Sequence, residues 1–115
     1  LTYPNTFPEA YCISVVEAMA SGCIVITTDL AALPQTCAGF AHLIPIHDDG
    51  DDYMTRYTAE VIRRIGPRLD TDDKILEGQL AAQVTYVNRY CTWAVRATEW
   101  LRLLDNLSAK FSKEL

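Results

Sequence analysis

Basic residues are scarce in this chain of 115 residues, because 10 lysines and arginines stand against 15 aspartates and glutamates. The formal net charge is -5 at pH 7. A protein surface that follows the phosphates of a nucleic acid needs an excess of positive charge, so we expect no nucleic-acid partner. The same shortage excludes a polybasic segment that binds acidic lipid headgroups.

Long apolar runs and metal-ligand motifs are also missing. No run approaches the roughly 20 apolar residues that span a bilayer, and no basic-then-apolar signal segment opens the chain. The four cysteines form no Cys-x-x-Cys pair and no cluster with histidine at zinc-site spacing: Cys12, Cys23, Cys37 and Cys91. We therefore expect a cytoplasmic protein with reduced cysteines. A peripheral membrane association of the full-length protein stays open.

Hydrophobic residues make up 50% of the chain, which is enough for the core of one domain. Residues 12–21 form a predicted helix that Gly22 ends. Residues 23–28 are apolar and β-branched, which is typical of a strand buried on both faces of a parallel sheet, and residues 42–46 predict a second strand. A loop or short helix is expected between them. The fold class is therefore predicted as α/β, with two or three parallel strands.

The second half of the chain predicts three helices, at residues 52–65, 72–89 and 92–113. The acidic run 47–52 is expected to cap the first, and Thr92 the last. Apolar residues recur at helical spacing in the other two helices, and we expect both stripes to pack in the core. The stripes are Leu76, Leu80, Val84 and Val87, and then Trp93, Ala97, Trp100, Leu104, Leu107 and Phe111.

Glu17 lies among Val16, Ala18 and Met19, on a helix whose composition predicts burial. An unpaired buried carboxylate is costly, so this side chain needs a partner. The simpler alternative is a glutamate that faces solvent or accepts a hydrogen bond from a neighbouring amide.

Glu9 lies just before the same helix, with seven residues between it and Glu17. The first amides of the helix, those of Cys12, Ile13 and Ser14, are expected to be free to bind a phosphate. Two carboxylates beside a phosphate can accept hydrogen bonds from hydroxyls on either side of it. A nucleotide sugar carries such hydroxyls on its ribose and on its sugar.

The segment from Glu9 to Asp29 resembles the Glu-x7-Glu motif of retaining glycosyltransferases with two Rossmann-like domains, the GT-B architecture. It is most similar to glycosyltransferase family 4, in which the motif reads Glu-x-Phe-Gly-Leu-x-x-x-Glu-Ala-Met-Ala-x-Gly. Residues 33–36 resemble the loop after the next strand of that family. Residues 88–93 resemble its Arg-Phe-Ser-Trp segment. The resemblance thus covers nearly the whole chain in the right order.

The resemblance implies a single partial domain over residues 1–115. Residues 1–50 would form the donor-site half of a Rossmann-like domain, and residues 51–115 its closing helices. It implies a hexosyltransferase activity in the full-length protein, with a nucleotide sugar as substrate and with no cofactor and no metal. A glycan, lipid or protein acceptor would bind to an N-terminal domain outside this chain.

The resemblance also implies a role for each matching residue. Glu9 matches the catalytic glutamate that contacts donor-sugar hydroxyls near the reacting carbon, and Glu17 the one that holds the ribose. The Phe-Gly-Leu part of the motif, whose backbone amides contact the diphosphate, is matched by Tyr11, Cys12 and Ile13. The amide of Ser14 follows directly and is expected to bind the donor as well.

The chain departs from the family at three places. Cys12 stands where glycine is usual, Ala31 and Ala32 replace a glycine-containing turn, and Gln35 stands where an acid is usual. These departures concern substrate detail and leave the expected fold unchanged.

Two alternatives stay open: a non-catalytic helical interaction module, and a GT-B nucleotide-sugar epimerase. The chain starts at Leu1, in a segment typical of a strand end, so we expect it to be part of a longer protein. The isolated piece is expected to be inactive, because the basic residues for the diphosphate lie upstream in the family. It is also expected to self-associate through an exposed apolar sheet edge.

Overall fold

The computed structural model describes residues 1–46, 52–68 and 72–111. Within these ranges lie three strands, five α-helices and one short 3₁₀ turn. In chain order they are β1 (Thr2–Tyr3), α1 (Ile13–Ala20), β2 (Ile26–Thr28), α2 (Leu33–Cys37), β3 (His42–Ile44), α3 (Tyr53–Ile65), the 3₁₀ turn (Gly66–Arg68), α4 (Lys74–Tyr90) and α5 (Trp93–Phe111). The predicted α/β class and the predicted order of helices and strands are confirmed.

The three strands form one parallel sheet in the order β1-β2-β3. Tyr3 pairs with Thr27, which in turn pairs with Leu43. All three residues of β2 are buried, because β2 is the central strand and helices cover both faces of the sheet. The parallel arrangement agrees with the apolar, β-branched sequence of the central strand.

Val25, directly before β2, and Ile26, the first residue of β2, point to opposite faces of the sheet and enter different core clusters. Val25 packs in a cluster with the inner side of α1, including Val15 and Met19. Ile26 packs in a second cluster with α3, including Tyr57. Helix α1 therefore lies on one face and α3 on the other, as in a doubly covered sheet.

Helix α1 ends where the sequence predicts. Ser21 is its last half-helical residue, and Gly22 follows with φ 72°, a left-handed backbone that glycine adopts without steric cost. The amide of Gly22 donates to the carbonyl of Met19 at 3.1 Å, and that of Cys23 to Ala18 at 3.0 Å. This pair of bonds closes the helix and turns the chain into β2.

Helix α4 packs against α1 and turns its predicted stripe inward, with Leu76, Leu80 and Val84 half-buried and Val87 buried. The stripe also contains Gln83, which is 1% exposed. The Nε2 atom of Gln83 donates to the carbonyls of Met19 and Cys23, each at 3.0 Å. A polar side chain thus occupies the centre of a helix–helix contact because it satisfies the end of α1.

The prediction that the stripe of α5 packs in the core is wrong. No residue of α5 is buried within the described part of the chain. Trp93 is 79% exposed and Trp100 is 63% exposed, and the other residues of the stripe are exposed to solvent as well. The helical spacing was identified correctly, but the body of the described domain offers no surface that covers this face.

Two capping predictions have different outcomes. Thr92 caps α5, since its Oγ1 accepts a hydrogen bond from the amide of Val95 at 3.4 Å. Asp52 stands at the start of α3, but its side chain makes no capping bond. The other residues of the acidic run, 47–51, lie outside the described residues.

Candidate functional site

The N-terminus of α1 is uncapped. Cys12 precedes the helix with φ 66° and ψ 84° and makes no side-chain capping bond. The first intrahelical bond runs from the amide of Val16 to the carbonyl of Cys12 at 3.4 Å. The amides of the first turn therefore have no intrahelical acceptor, and the positive end of the helix dipole is not neutralised by a side chain. This is the type of helix end that binds phosphate groups.

Cys12 occupies a left-handed backbone conformation that residues other than glycine rarely adopt. Because its thiol is partly buried and lies beside the Glu9 carboxylate, its pKa is raised above the usual value for cysteine. The thiol is therefore uncharged at neutral pH, which fits a place at the opening of an anion site. Glycine would adopt this backbone conformation without the steric strain that Cys12 carries.

We expect the Cys12→Gly variant to be more stable than the Cys12→Ala variant by about 1 kcal/mol, because only glycine relieves the left-handed strain. Both variants lose the thiol, so the difference between their free energies of unfolding reports the effect of the backbone conformation. The denaturation midpoints of the two full-length variants measure it. At an ordinary backbone position alanine is the more stable of the two, and that order here would contradict the assigned conformation.

Glu9 lies in the loop between β1 and α1 and is half-buried. The hydroxyl of Tyr3 donates a hydrogen bond to its Oε1 atom. The backbone carbonyl of Glu9 accepts from the amide of Ala32 at 3.3 Å. Both the side chain and the backbone of Glu9 are thus held, one by β1 and the other by the segment before α2.

The same loop is fixed at two further points. Asn5 is 3% exposed, and its side-chain amide exchanges two hydrogen bonds with the backbone of Phe7, at 2.8 and 3.0 Å. The hydroxyl of Thr36 in α2 donates to the carbonyl of Tyr11 at 2.6 Å. The loop from β1 to α1 is therefore stabilised along its whole length.

Glu17 faces solvent, which is the simpler of the two alternatives that the sequence left open for it. It lies with Ile13 on the outer face of α1. Both residues, together with Tyr11 of the preceding loop, border a cleft of about 660 Å³ whose other wall is α5. Within the described residues the Glu17 carboxylate makes no hydrogen bond or ion pair. Arg96 lines the same cleft but pairs with Glu99 at 3.0 Å. The Glu17 carboxylate is thus open to a ligand.

The structure places the predicted site residues around one helix end. Glu9 is in the loop that leads to α1, Cys12 is at the start of that helix, and Ile13 and Ser14 follow as exposed residues of its first turn. Glu17 lies one turn further along. Tyr11 is 42% exposed beside the cleft.

Two residues of the site were not identified from the sequence, Tyr3 and Thr36. Each contributes a hydroxyl that holds the site loop, one from β1 and the other from α2. No spacing rule links a tyrosine to a carboxylate six residues later in a turn. Their contribution depends on the path of the loop, so only the tertiary structure shows it.

Residues 1–46, 52–68 and 72–111 contain neither a metal-binding cluster nor a membrane-spanning helix. No group of three or more histidine, cysteine, aspartate or glutamate side chains there is arranged to hold a metal ion. In the same residues, no helix combines the length and the apolarity that a membrane crossing requires.

A short parallel sheet with helices on both faces, followed by C-terminal helices, defines an α/β domain that is consistent with part of a GT-B domain. The chain is 30% identical over 112 residues to the phosphatidyl-myo-inositol mannosyltransferase of Mycobacterium tuberculosis, in strains CDC 1551 / Oshkosh and H37Rv. The protein of the same name from Mycobacterium bovis matches equally well. The chain is therefore similar to one part of a glycosyltransferase.

The similarity is limited in extent. It covers 96% of this chain, which spans 28% of the length of these relatives. No protein-family profile matches the chain, and no solved structure matches it.

Proposed function

We propose that this chain forms the donor-binding part of a retaining glycosyltransferase that uses a nucleotide sugar without a metal ion. The observation that carries the proposal is the uncapped N-terminus of α1 between two carboxylates, Glu9 and Glu17, on a chain that aligns with a mannosyltransferase. An anion at this helix end would have a hydroxyl acceptor on either side. A nucleotide sugar has that order of groups.

The proposed chemistry follows from the charges that develop during transfer. The bond between the anomeric carbon and the diphosphate breaks, so negative charge grows on the diphosphate and positive charge on the sugar. The amides of Ile13 and Ser14 and the dipole of α1 stabilise the leaving diphosphate. Glu9 stabilises the positive charge on the sugar and accepts hydrogen bonds from its hydroxyls. Helix-end stabilisation of the leaving group removes the need for a divalent cation.

We assign Glu17 to the ribose hydroxyls, which change little during the reaction. The Glu17→Gln variant is therefore expected to raise the donor KM by about ten-fold with little change in kcat, because it weakens ground state and transition state alike. Steady-state kinetics of the full-length protein with varied donor measure both constants. The matched control is Glu77→Gln on the exposed face of α4, which should leave both constants unchanged. An unaltered donor KM for Glu17→Gln would contradict the assignment.

The transfer reaction itself tests the proposed function. The full-length protein is incubated with a panel of nucleotide sugars, including mannose donors, in buffer that contains a chelator. Release of the nucleoside diphosphate identifies the donor, and the NMR coupling constant of the new glycosidic bond gives its configuration. We expect activity in the chelator and a retained anomeric configuration. Inversion, or activity only with added metal, would refute the corresponding part of the proposal.

A second candidate function is a helical interaction module, and the exposed apolar face of α5 favours it. In that case α5 would bind a protein partner, and the helix end of α1 would have no ligand. This alternative predicts that the full-length protein releases no nucleoside diphosphate from any donor. It also predicts that substitution of Glu9 or Glu17 has no functional effect.

A further inference from the structure

We propose that Tyr3 is a positioning residue that orients the Glu9 carboxylate for catalysis. This inference rests on the proposed function of Glu9. The geometry that carries it is the hydrogen bond from the Tyr3 hydroxyl to Oε1 of Glu9. A carboxylate has about four acceptor lone pairs, so the bond from Tyr3 leaves Glu9 able to accept a hydrogen bond from a sugar hydroxyl as well.

Tyr3 is itself held rigidly by the sheet. Its amide donates to the hydroxyl of Tyr57 at 3.0 Å, and its carbonyl accepts from Oγ1 of Thr27 at 2.9 Å and from the amide of Asn5 at 2.9 Å. Its ring packs against the core cluster between the sheet and α1. The Tyr3 hydroxyl is therefore a donor whose position is set by the central strand and by α3.

Glu9 needs such a donor because its side chain has three rotatable bonds and is only half-buried. Left free, it would sample several rotamers, and ordering it during the reaction would cost conformational entropy. With a fixed donor, the Glu9 side chain is ordered during folding, so its ordering does not add to the barrier of the reaction. The Glu9 carboxylate also keeps the Tyr3 hydroxyl protonated, because its hydrogen bond with that hydroxyl raises the pKa of Tyr3 to about 12.

The main experiment compares Tyr3→Phe with the parent in the full-length protein. This change removes one oxygen and keeps the ring in the core. We expect kcat to fall by about ten-fold, the scale of a lost hydrogen bond to a charged group, while the donor KM changes less. The matched control is Tyr53→Phe, which also removes one hydroxyl from a buried tyrosine ring but belongs to the second core cluster, away from Tyr3 and Glu9. It is expected to leave kcat within about two-fold.

A double-mutant cycle then separates positioning from support of the loop. If Tyr3 acts through Glu9, Tyr3→Phe has no effect on kcat in a Glu9→Ala background. A ten-fold loss that persists in that background would show that Tyr3 acts on the loop or the ligand directly, and would overturn the inference. An unchanged kcat for Tyr3→Phe alone would overturn it as well.

The outcomes also distinguish this inference from the proposed function. If Glu9→Ala retains full kcat, the proposed catalytic role of Glu9 fails and the inference fails with it. If Glu9→Ala is impaired but Tyr3→Phe is not, Glu9 keeps its role and only the positioning by Tyr3 is refuted.

Discussion

The Glu9→Gln variant is expected to lower kcat by a factor of about 100, which corresponds to about 2.7 kcal/mol of transition-state stabilisation. Glutamine has nearly the same shape, and its carbonyl oxygen can still accept the hydrogen bond from Tyr3. The substitution therefore removes the negative charge and leaves the loop in place. Because that charge acts on the positive charge that forms on the sugar during bond breaking, the loss should fall on kcat rather than on donor binding.

Steady-state kinetics of the full-length protein with varied donor measure this effect. The donor dissociation constant, obtained by calorimetry, is expected to change by less than about three-fold. Glu77→Gln serves again as the control for loss of a surface charge. A Glu9→Gln variant with the parent kcat would show that Glu9 has no part in the chemistry.

The Gln83→Leu variant is expected to destabilise the domain by about 1–3 kcal/mol. Leucine has a similar volume but cannot donate hydrogen bonds, so the Cys23 carbonyl loses its side-chain donor. The Met19 carbonyl retains only the amide of Gly22. These groups join the end of α1 to the start of β2, and α1 also carries the candidate site. The unfolding temperature of the full-length protein should therefore fall by several degrees.

Gln79→Leu is the matched control, because Gln79 lies on the same helix one turn earlier and is exposed. It is expected to change stability by less than about 0.5 kcal/mol. Equal unfolding temperatures for Gln83→Leu and the parent would show that the two carbonyl bonds contribute nothing to stability.

The local elements of this fold follow from short patterns in the sequence. The stretch from Ile24 to Thr28 is apolar and β-branched, and its last three residues form the buried central strand. Gly22 supplies the left-handed residue that ends α1. The glutamate pair and the helix start between them are local as well, since they lie within nine consecutive residues. Such features depend on backbone conformation and on residue spacing, and both can be deduced from neighbouring residues.

The burial of individual side chains was harder to deduce. For Glu17 the sequence left open a buried, partnered carboxylate and one that faces solvent. The structure decides for solvent, because helix α1 turns Val15, Val16 and Met19 inward. The stripe of α5 was expected in the core, and it is exposed. Periodicity gives the face on which apolar residues lie, but burial also needs a second surface, which the pattern of a single helix does not reveal.

Sequence alone thus determined the α/β class, the parallel strands, the order of the helices, and the placement of two glutamates around one helix start. The tertiary structure alone decided which groups hold that site. Tyr3, Thr36 and Gln83 act on residues that are between six and 64 positions away in the chain. The physical reason is that a hydrogen bond needs its donor and acceptor about 3 Å apart. For residues far apart in the chain, only the packing of the sheet and helices sets that distance.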